Sequence, residues 1–191
     1  MKLQLRTTLI ILLLTVPFAS ARADEYTDTI KIFRDAGESG KFFDKSYGYA
    51  LFPTIGKGGI GIGGAYGKGR VYEKGKYVGN TSMTQVSVGF QLGGQAYSQI
   101  VFFEDKRAFD EFTSGNFEFG AQASAVAITA AASAEATTTG TSAGASGGKH
   151  DATTTTVGTG FHKGMAVFTI AKGGLMYEAS IGGQKFSYTP K

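Results

Sequence analysis

The sequence predicts a mainly β fold of the α+β class: an antiparallel meander, barrel-like or sandwiched, with one or two short helices packed on it. Most of the chain beyond residue 55 alternates with period 2 between two kinds of side chain, as a strand does. Gly-Gly pairs at 93–94, 173–174 and 182–183 separate the alternating stretches, and such pairs suit hairpin turns. Together these two observations favour strands that follow one another in an antiparallel sheet.

The most unusual alternating stretch is glycine-rich and covers residues 56–76. With period 2, one face has almost no side chains, and it consists of Gly59, Gly61, Gly63, Ala65, Gly67, Gly69 and Val71. Glycine costs chain entropy in a strand and packs nothing, so a whole face of it predicts another backbone very close by. The opposite face carries Ile60, Ile62, Gly64, Tyr66, Lys68, Arg70 and Tyr72.

Further stretches also have strand patterns. The clearest runs from Thr84 to Leu92, with one face made of Val86, Val88, Phe90 and Leu92. The others are 96–103, 165–171, 175–181 and 185–189. Residues 117–134 fit both an alanine-rich helix and an alternating strand, and we favour the strand. A low-complexity loop rich in Thr, Ser, Gly and Ala is expected at about 137–156.

Two short helices are predicted. In residues 26–36, apolar side chains recur at helical spacing, and Gly37 is a suitable C-terminal cap. In residues 105–112, the period changes from 2 to that of a helix, Asp105 can cap the start, and Gly115 follows the end.

The first 23 residues have the pattern of a secretory signal peptide. Lys2 and Arg6 form a positive start, residues 7–18 form an apolar core, and Ala21-Arg22-Ala23 is a small-x-small cleavage site. The apolar core is too short to span a bilayer comfortably, although a retained membrane anchor is the alternative. We therefore expect cleavage after Ala23, a periplasmic or secreted protein peripheral to the membrane, and one domain over residues 24–191.

Charge and cysteine content exclude several classes of protein. The chain has 19 Lys and Arg against 15 Asp and Glu; the signal peptide takes three cations and no acid, which leaves 16 against 15. Such a balance argues against a general nucleic-acid role. The chain has no cysteine, so disulfides and cysteine lipidation are excluded.

The best candidate site is a cluster of cations and tyrosines in and beside the glycine-rich stretch: Lys57, Lys68, Arg70, Lys74, Lys76, Tyr66 and Tyr72. If residues 59–72 form one uninterrupted strand, two cations and two tyrosines share a face that suits an anionic, partly apolar partner. The alternative is an ordinary solvated hairpin.

Other kinds of site find little support. Gly56, Gly58 and Gly61 fit G-x-G-x-x-G, but more strand follows them where a dinucleotide site needs a helix. The histidines, His150 and His162, have no further ligand at metal spacing. No nucleophile with a base can be named from spacing. We expect no catalysis, no metal and no cofactor.

Several motifs recur in a fixed order along the chain. The opening segments are 47–53 (Tyr-Gly-Tyr-Ala-Leu-Phe-Pro) and 56–59. The middle segments are 93–95, 100–103, Ala108-Phe109 with Phe112, and 119–121, and the closing segment is 172–179 (Lys-Gly-Gly-Leu-Met-Tyr-Glu-Ala). These motifs resemble the SYLF-domain family, in its exported bacterial branch; they occur in the family's order and span roughly residues 42–188.

The resemblance implies lipid binding. Eukaryotic SYLF domains bind phosphoinositides, and some also bind actin filaments, partners that an exported bacterial protein does not meet at home. Some of the eukaryotic lipid contacts come from a cationic N-terminal helix, whereas helix 26–36 here balances Lys31 and Arg34 with acids. We therefore expect a non-catalytic domain that binds anionic phospholipid or a membrane surface. The alternative is a structural or protein-interaction module of the cell envelope, with envelope proteins as partners.

Overall fold

The fold is a curled half-barrel of mostly antiparallel strands with short helices packed against it. In this computed structural model the described residues are 21–89, 94–120, 123, 125–128, 160–172 and 181–191. Their strands are β1 (Gly48–Glu73), β2 (Lys76–Gly89), β3 (Gln95–Phe103), β4 (Phe117–Glu118), β5 (Val126–Ile128), β6 (Met165–Lys172) and β7 (Lys185–Pro190). Their helices are α1 (Ala21–Asp35), α2 (Gly37–Gly40) and α3 (Lys106–Thr113). The predicted fold class is confirmed.

The strands form one sheet in the order β4-β7-β2-β1-β3-β6-β5. All neighbouring pairs are antiparallel except β5 and β6. The strand order is not simply sequential, because β3 pairs with β1 rather than with β2, which precedes it in the chain.

Strand β1 doubles back on itself. Its first half, 48–57, pairs with β3, and its second half, 61–73, pairs with β2. The halves lie against each other: a Cβ atom added to Gly69 would lie 2.6 Å from the Leu51 carbonyl oxygen. The second half is buried along the predicted small-residue face, at Gly63, Ala65, Gly67, Gly69 and Val71. The expected close approach of another backbone is confirmed, and that backbone is the first half of the same strand.

At β3 the sheet is covered on both faces. In β3, Val101 and Phe103 belong to a first core on the side of α3, whereas Ile100 and Phe102 belong to a second core with α1 and α2. Because alternate side chains of a strand point to opposite faces, the two cores lie on opposite sides of the sheet. The second core is rich in ring–ring contacts, for example Phe42 stacked on Phe102 with their centroids 5.6 Å apart.

The helix predictions are confirmed, with one correction. Asp105 caps α3 by accepting a hydrogen bond from the Ala108 backbone N–H at 2.8 Å. The helix predicted over 26–36 is α1, which begins at Ala21. The correction concerns Gly37, which does not cap α1 but starts α2, after one extended residue, Ala36.

The strand predictions are confirmed where the described residues cover them. Strand β2 includes the alternating stretch from Thr84 as far as Gly89, and β6 and β7 match 165–171 and 185–189. In 117–134, the described residues include two short strands and no helix, as favoured above. The predicted strand at 175–181, except Ile181, and the low-complexity loop at 137–156 lie outside the described residues, as does the signal peptide up to residue 20.

Candidate functional site

The outer surface of the β1–β2–β7 part of the sheet carries three rows of polar side chains. We call them the outer rows, and strand register defines them: Tyr66, Thr84 and Lys185; then Lys68, Ser82 and Ser187; then Arg70, Asn80 and Thr189. They alternate with the buried small-residue face of β1, so they point away from the first core. Six of these nine side chains can donate a hydrogen bond through a hydroxyl or amide, and the other three are cations.

Beyond the Tyr66 row, the same surface becomes apolar. Ile62 is 71% exposed and Val86 is 76% exposed, and Tyr66 between them and the cations is 51% exposed. Val86 faces outward because it pairs with Gly64 of β1, whose neighbours Gly63 and Ala65 are buried. Large apolar side chains this exposed and this close together indicate a contact surface.

Arg70 is held by aromatic rings. Its guanidinium carbon lies 4.1 Å from the centre of the Tyr26 ring of α1 and 5.1 Å from that of Tyr77. Burial raises the pKa of Tyr26, and the nearby Arg70 charge opposes that rise. The guanidinium also donates a hydrogen bond to the Tyr72 hydroxyl oxygen. Contact with ring faces leaves its remaining in-plane N–H groups able to bind an anion. Among the described residues, neither Arg70 nor Lys68 has a carboxylate within 4.0 Å.

An open cleft of about 740 Å³ separates the start of α1 from the outer rows. The lining includes Tyr26 of α1, Tyr66 and Lys68 of β1, Asn80 of β2 and Ser187 of β7. The cleft therefore has a ring near each end, and cations and hydrogen-bonding groups between them.

The start of α1 is fixed to the sheet by a small polar network. The Thr54 hydroxyl donates to the Glu25 carboxylate at 2.7 Å, and the Lys172 ammonium donates to the Thr54 hydroxyl at 2.6 Å. Lys172 also pairs with Glu25 at 3.5 Å. Glu25, the only acid among the described residues that line the cleft, thus already has a cation as a partner.

Tyr72 does not lie on the exposed surface that the alternation predicted. It is 8% exposed and stacks on Tyr49 with a centroid distance of 4.8 Å, within the second core. The alternation of β1 still holds there, since Val71 belongs to the first core and Tyr72 to the second. Tyr72 is buried because the rings of Tyr49 and Tyr77 pack against it on that face. Burial raises the pKa of Tyr72, and it raises the pKa of Tyr49 to about 12.

Three of the predicted cations lie away from the outer rows. Lys57 is on the first half of β1, paired with Gln95 of β3. Lys74 is in the β1–β2 turn, with its ammonium 5.1 Å from the centre of the Tyr47 ring, and Lys76 follows it. At about 3.3 Å per residue, the turn is roughly 20 Å from Lys68 along the strand. The structure thus brings together Tyr66, Lys68 and Arg70 only, and their role in binding stays a prediction.

Sequence analysis missed the polar partners on β2 and β7: Asn80, Ser82, Thr84, Ser187 and Thr189. The signal was present in β7, where polar residues alternate with Phe186 and Tyr188. That alternation does not say which strand lies next to β7. The register of β2 with β7 supplies that information.

No other centre stands out in the part of the chain that the structure describes. No three His, Cys, Asp or Glu side chains there are grouped to hold a metal ion. His162 is exposed beside the start of β6, and His150 lies outside the described residues. Of the described helices, none is long and apolar enough to cross a membrane. Gly56 and Gly58 lie within β1, so no helix follows them.

Comparisons with known proteins agree with this architecture. The family model described as "Las17-binding protein actin regulator" (Ysc84) matches residues 84–187. The chain is 29% identical to Beta cell expansion factor A of Aeromonas veronii over 162 residues. That alignment covers 84% of this chain and 52% of the relative, so the chain spans about half the length of the curated protein it matches. Since the family model covers more than half of the chain, the chain belongs to the Ysc84, or SYLF, family, a family of binding domains known for lipid and actin-related binding.

Proposed function

We propose that this is an exported, non-catalytic protein that binds anionic membrane surfaces through the outer face of β1 and β2. The observation that carries the proposal is the exposure of Ile62 and Val86 next to Tyr66 and Lys68. The signal-peptide pattern in residues 1–23 supports export. Family membership supports lipid binding.

The order of side chains along β1 matches the layers of a bilayer. Ile62 is four residues from Tyr66, or about 13 Å along an extended strand, and Lys68 is two residues further. Half of the hydrocarbon core is about 15 Å thick. If the strand stands upright, Ile62 enters the hydrocarbon, the Tyr66 ring lies at the interface, and Lys68 meets the head groups.

The energies are adequate for reversible binding. Burying Ile62 and Val86 in hydrocarbon contributes about 4 kcal/mol, since a fully buried aliphatic side chain contributes about 2 kcal/mol. Lys68 and Arg70 near an anionic surface add about 1 kcal/mol each. A total of about 6 kcal/mol corresponds to a dissociation constant on the order of tens of micromolar. The apolar contribution is the larger one, so it is the first to test.

The test is co-sedimentation with phosphatidylcholine vesicles, with and without phosphatidylglycerol. The variant Ile62→Ser/Val86→Ser should bind the anionic vesicles at least about tenfold more weakly, because it removes most of the apolar contribution. The matched control is Ile32→Ser, which changes an apolar side chain of α1 that is 46% exposed but does not belong to the outer face of β1 and β2. This control should bind as the wild type does.

Charge is tested separately with salt and with Lys68→Glu. Wild-type binding should weaken from low to physiological salt, because exposed charges are screened. Lys68→Glu should weaken binding to anionic vesicles, whereas Lys45→Glu, an exposed lysine after α2, should not. The proposal is wrong if the wild type does not bind anionic vesicles, or if Ile62→Ser/Val86→Ser binds them as strongly as the wild type does.

A further inference from the structure

The cleft between α1 and the outer rows has the chemistry of a specific ligand site rather than of a general cationic surface. Its volume of about 740 Å³ is in the range of small-molecule sites. Lys68 and Arg70 face it without a carboxylate partner among the described residues, and Glu25, the one acid among its described lining residues, is paired with Lys172. The cleft therefore carries an uncompensated positive charge and favours an anion.

The neutral groups of the cleft are arranged for hydroxyl groups. The Ser82 and Ser187 hydroxyl oxygens lie 2.7 Å apart, so each keeps further hydrogen-bonding capacity for a ligand. The Asn80 side-chain oxygen accepts a bond from the Tyr77 hydroxyl at 2.9 Å, which leaves its amide N–H donors available. Thr189 lies next to Asn80 across the β2–β7 pair. Asn80 and Thr189 lie in the same row as Arg70, and Ser82 and Ser187 lie in the same row as Lys68.

We infer that the cleft binds a phosphate that carries a polyhydroxyl group. The phosphate lies against Lys68 and the N–H groups of Arg70 that do not bond to Tyr72, because charge-assisted hydrogen bonds are strong. The hydroxyls of the ligand bind Ser82, Ser187 and Asn80. The ligand is either a lipid head group such as phosphatidylglycerol or a free sugar or glycerol phosphate. In its lipid form the inference rests on the proposed function, because the cleft continues the membrane-facing surface.

The first arm of the test compares two lipids of equal charge. Wild-type protein is sedimented with phosphatidylcholine vesicles that contain equal fractions of phosphatidylglycerol or of phosphatidylserine, which lacks the diol. We expect about fivefold tighter binding to phosphatidylglycerol, the effect of about one hydrogen bond. Ser82→Ala/Ser187→Ala, which leaves the charge unchanged, should lose this preference while it still binds both vesicles. Ser114→Ala, an exposed serine after α3, should keep the preference.

The second arm uses soluble probes in calorimetric titrations: glycerol 1-phosphate and glucose 6-phosphate, with inorganic phosphate and glycerol as comparisons. Binding of the polyol phosphates, tighter than that of inorganic phosphate and weakened in Ser82→Ala/Ser187→Ala, supports the site with a free ligand as its source. A lipid preference without binding of the soluble probes supports the head group as the source.

The two proposals fail in different ways. If the wild type binds anionic vesicles without a head-group preference and binds no polyol phosphate, the cleft inference is wrong and the proposed function stands. If the wild type binds no vesicles, the proposed function is wrong. The calorimetric titrations alone then test whether the cleft binds a polyol phosphate. Thermal melts check that the alanine variants fold, because Ser82 and Ser187 bond to each other.

Discussion

The Arg70 guanidinium lies 4.1 Å from the centre of the Tyr26 ring and connects helix α1 to the outer face of β1. Two features meet at this contact: the covered aromatic second core and the open cleft with its polar rows. Moving α1 would change both, because Tyr26 packs against the second core and also lines the cleft.

The Arg70–Tyr26 contact should have a measurable coupling energy. In a double-mutant cycle of Arg70→Gln and Tyr26→Leu, we expect a coupling of about 1 kcal/mol in the free energy of unfolding, typical of a partly desolvated cation–π pair. Urea unfolding measures it. Additive effects within experimental error would mean that the ring and the cation are neighbours without a stabilising interaction.

The two kinds of glycine in β1 should respond differently to alanine. Gly69→Ala should destabilise the fold by about 1–3 kcal/mol, because the added Cβ would lie 2.6 Å from the Leu51 carbonyl oxygen. Gly56→Ala is the matched control, since a Cβ there meets no atom within 4 Å. Thermal and urea unfolding compare the two. Equal melting temperatures for the two variants would contradict the doubled-back geometry of β1.

The buried amide pair of Gln99 and Gln184 should be strongly coupled. Both side chains are 0% exposed, and Gln99 donates to Gln184 at 2.9 Å. Gln184→Met should cost about 1–3 kcal/mol, since it leaves the Gln99 amide and the Tyr97 hydroxyl without this partner. The double variant Gln99→Met/Gln184→Met should lose less stability than the sum of the two single variants, because neither amide is then left without its partner. A sum of two equal losses would contradict this account.

Alkaline pH should destabilise the protein through Tyr49. Burial, then the neighbouring Tyr72, raises the Tyr49 pKa to about 12, above its ordinary value of 10.0. The unfolded chain therefore loses this proton first, and the stabilisation, complete below pH 10, is lost as the pH rises towards 12. Urea unfolding at pH 8 and pH 11 should show a smaller loss of stability in Tyr49→Phe than in wild type. An equal loss would assign the effect to other groups.

Local sequence was a good guide where one element determines its own structure. Asp105 and the apolar spacing after it predicted α3, and the small-residue face of β1 predicted a close backbone. In both cases the physical cause, a cap or the absence of Cβ atoms, is present within a few residues of sequence.

Sequence was a poor guide where a neighbouring element decides the outcome. Tyr72 has the alternation of an exposed residue, but Tyr49 and the rest of the second core bury it. Val86 has the pattern of a core residue, but its register with Gly64 turns it outward. Only the β1 residues of the candidate site could be predicted from the sequence. Its other residues are brought beside them by the pairing of β2 with β7, which the sequence does not reveal.

The pairing of Ser82 with Ser187 also sets the time at which the surface can exist. The two residues are 105 positions apart, so the β7 residues of the outer rows are synthesised long after those of β1 and β2. The β1–β2 hairpin can form early, because its contacts are local, whereas β7 docks only after a long loop has closed. A nascent or incompletely folded chain therefore has the apolar end of the surface but not the cleft. Selective recognition through the cleft would then be acquired only when β7 has docked on β2.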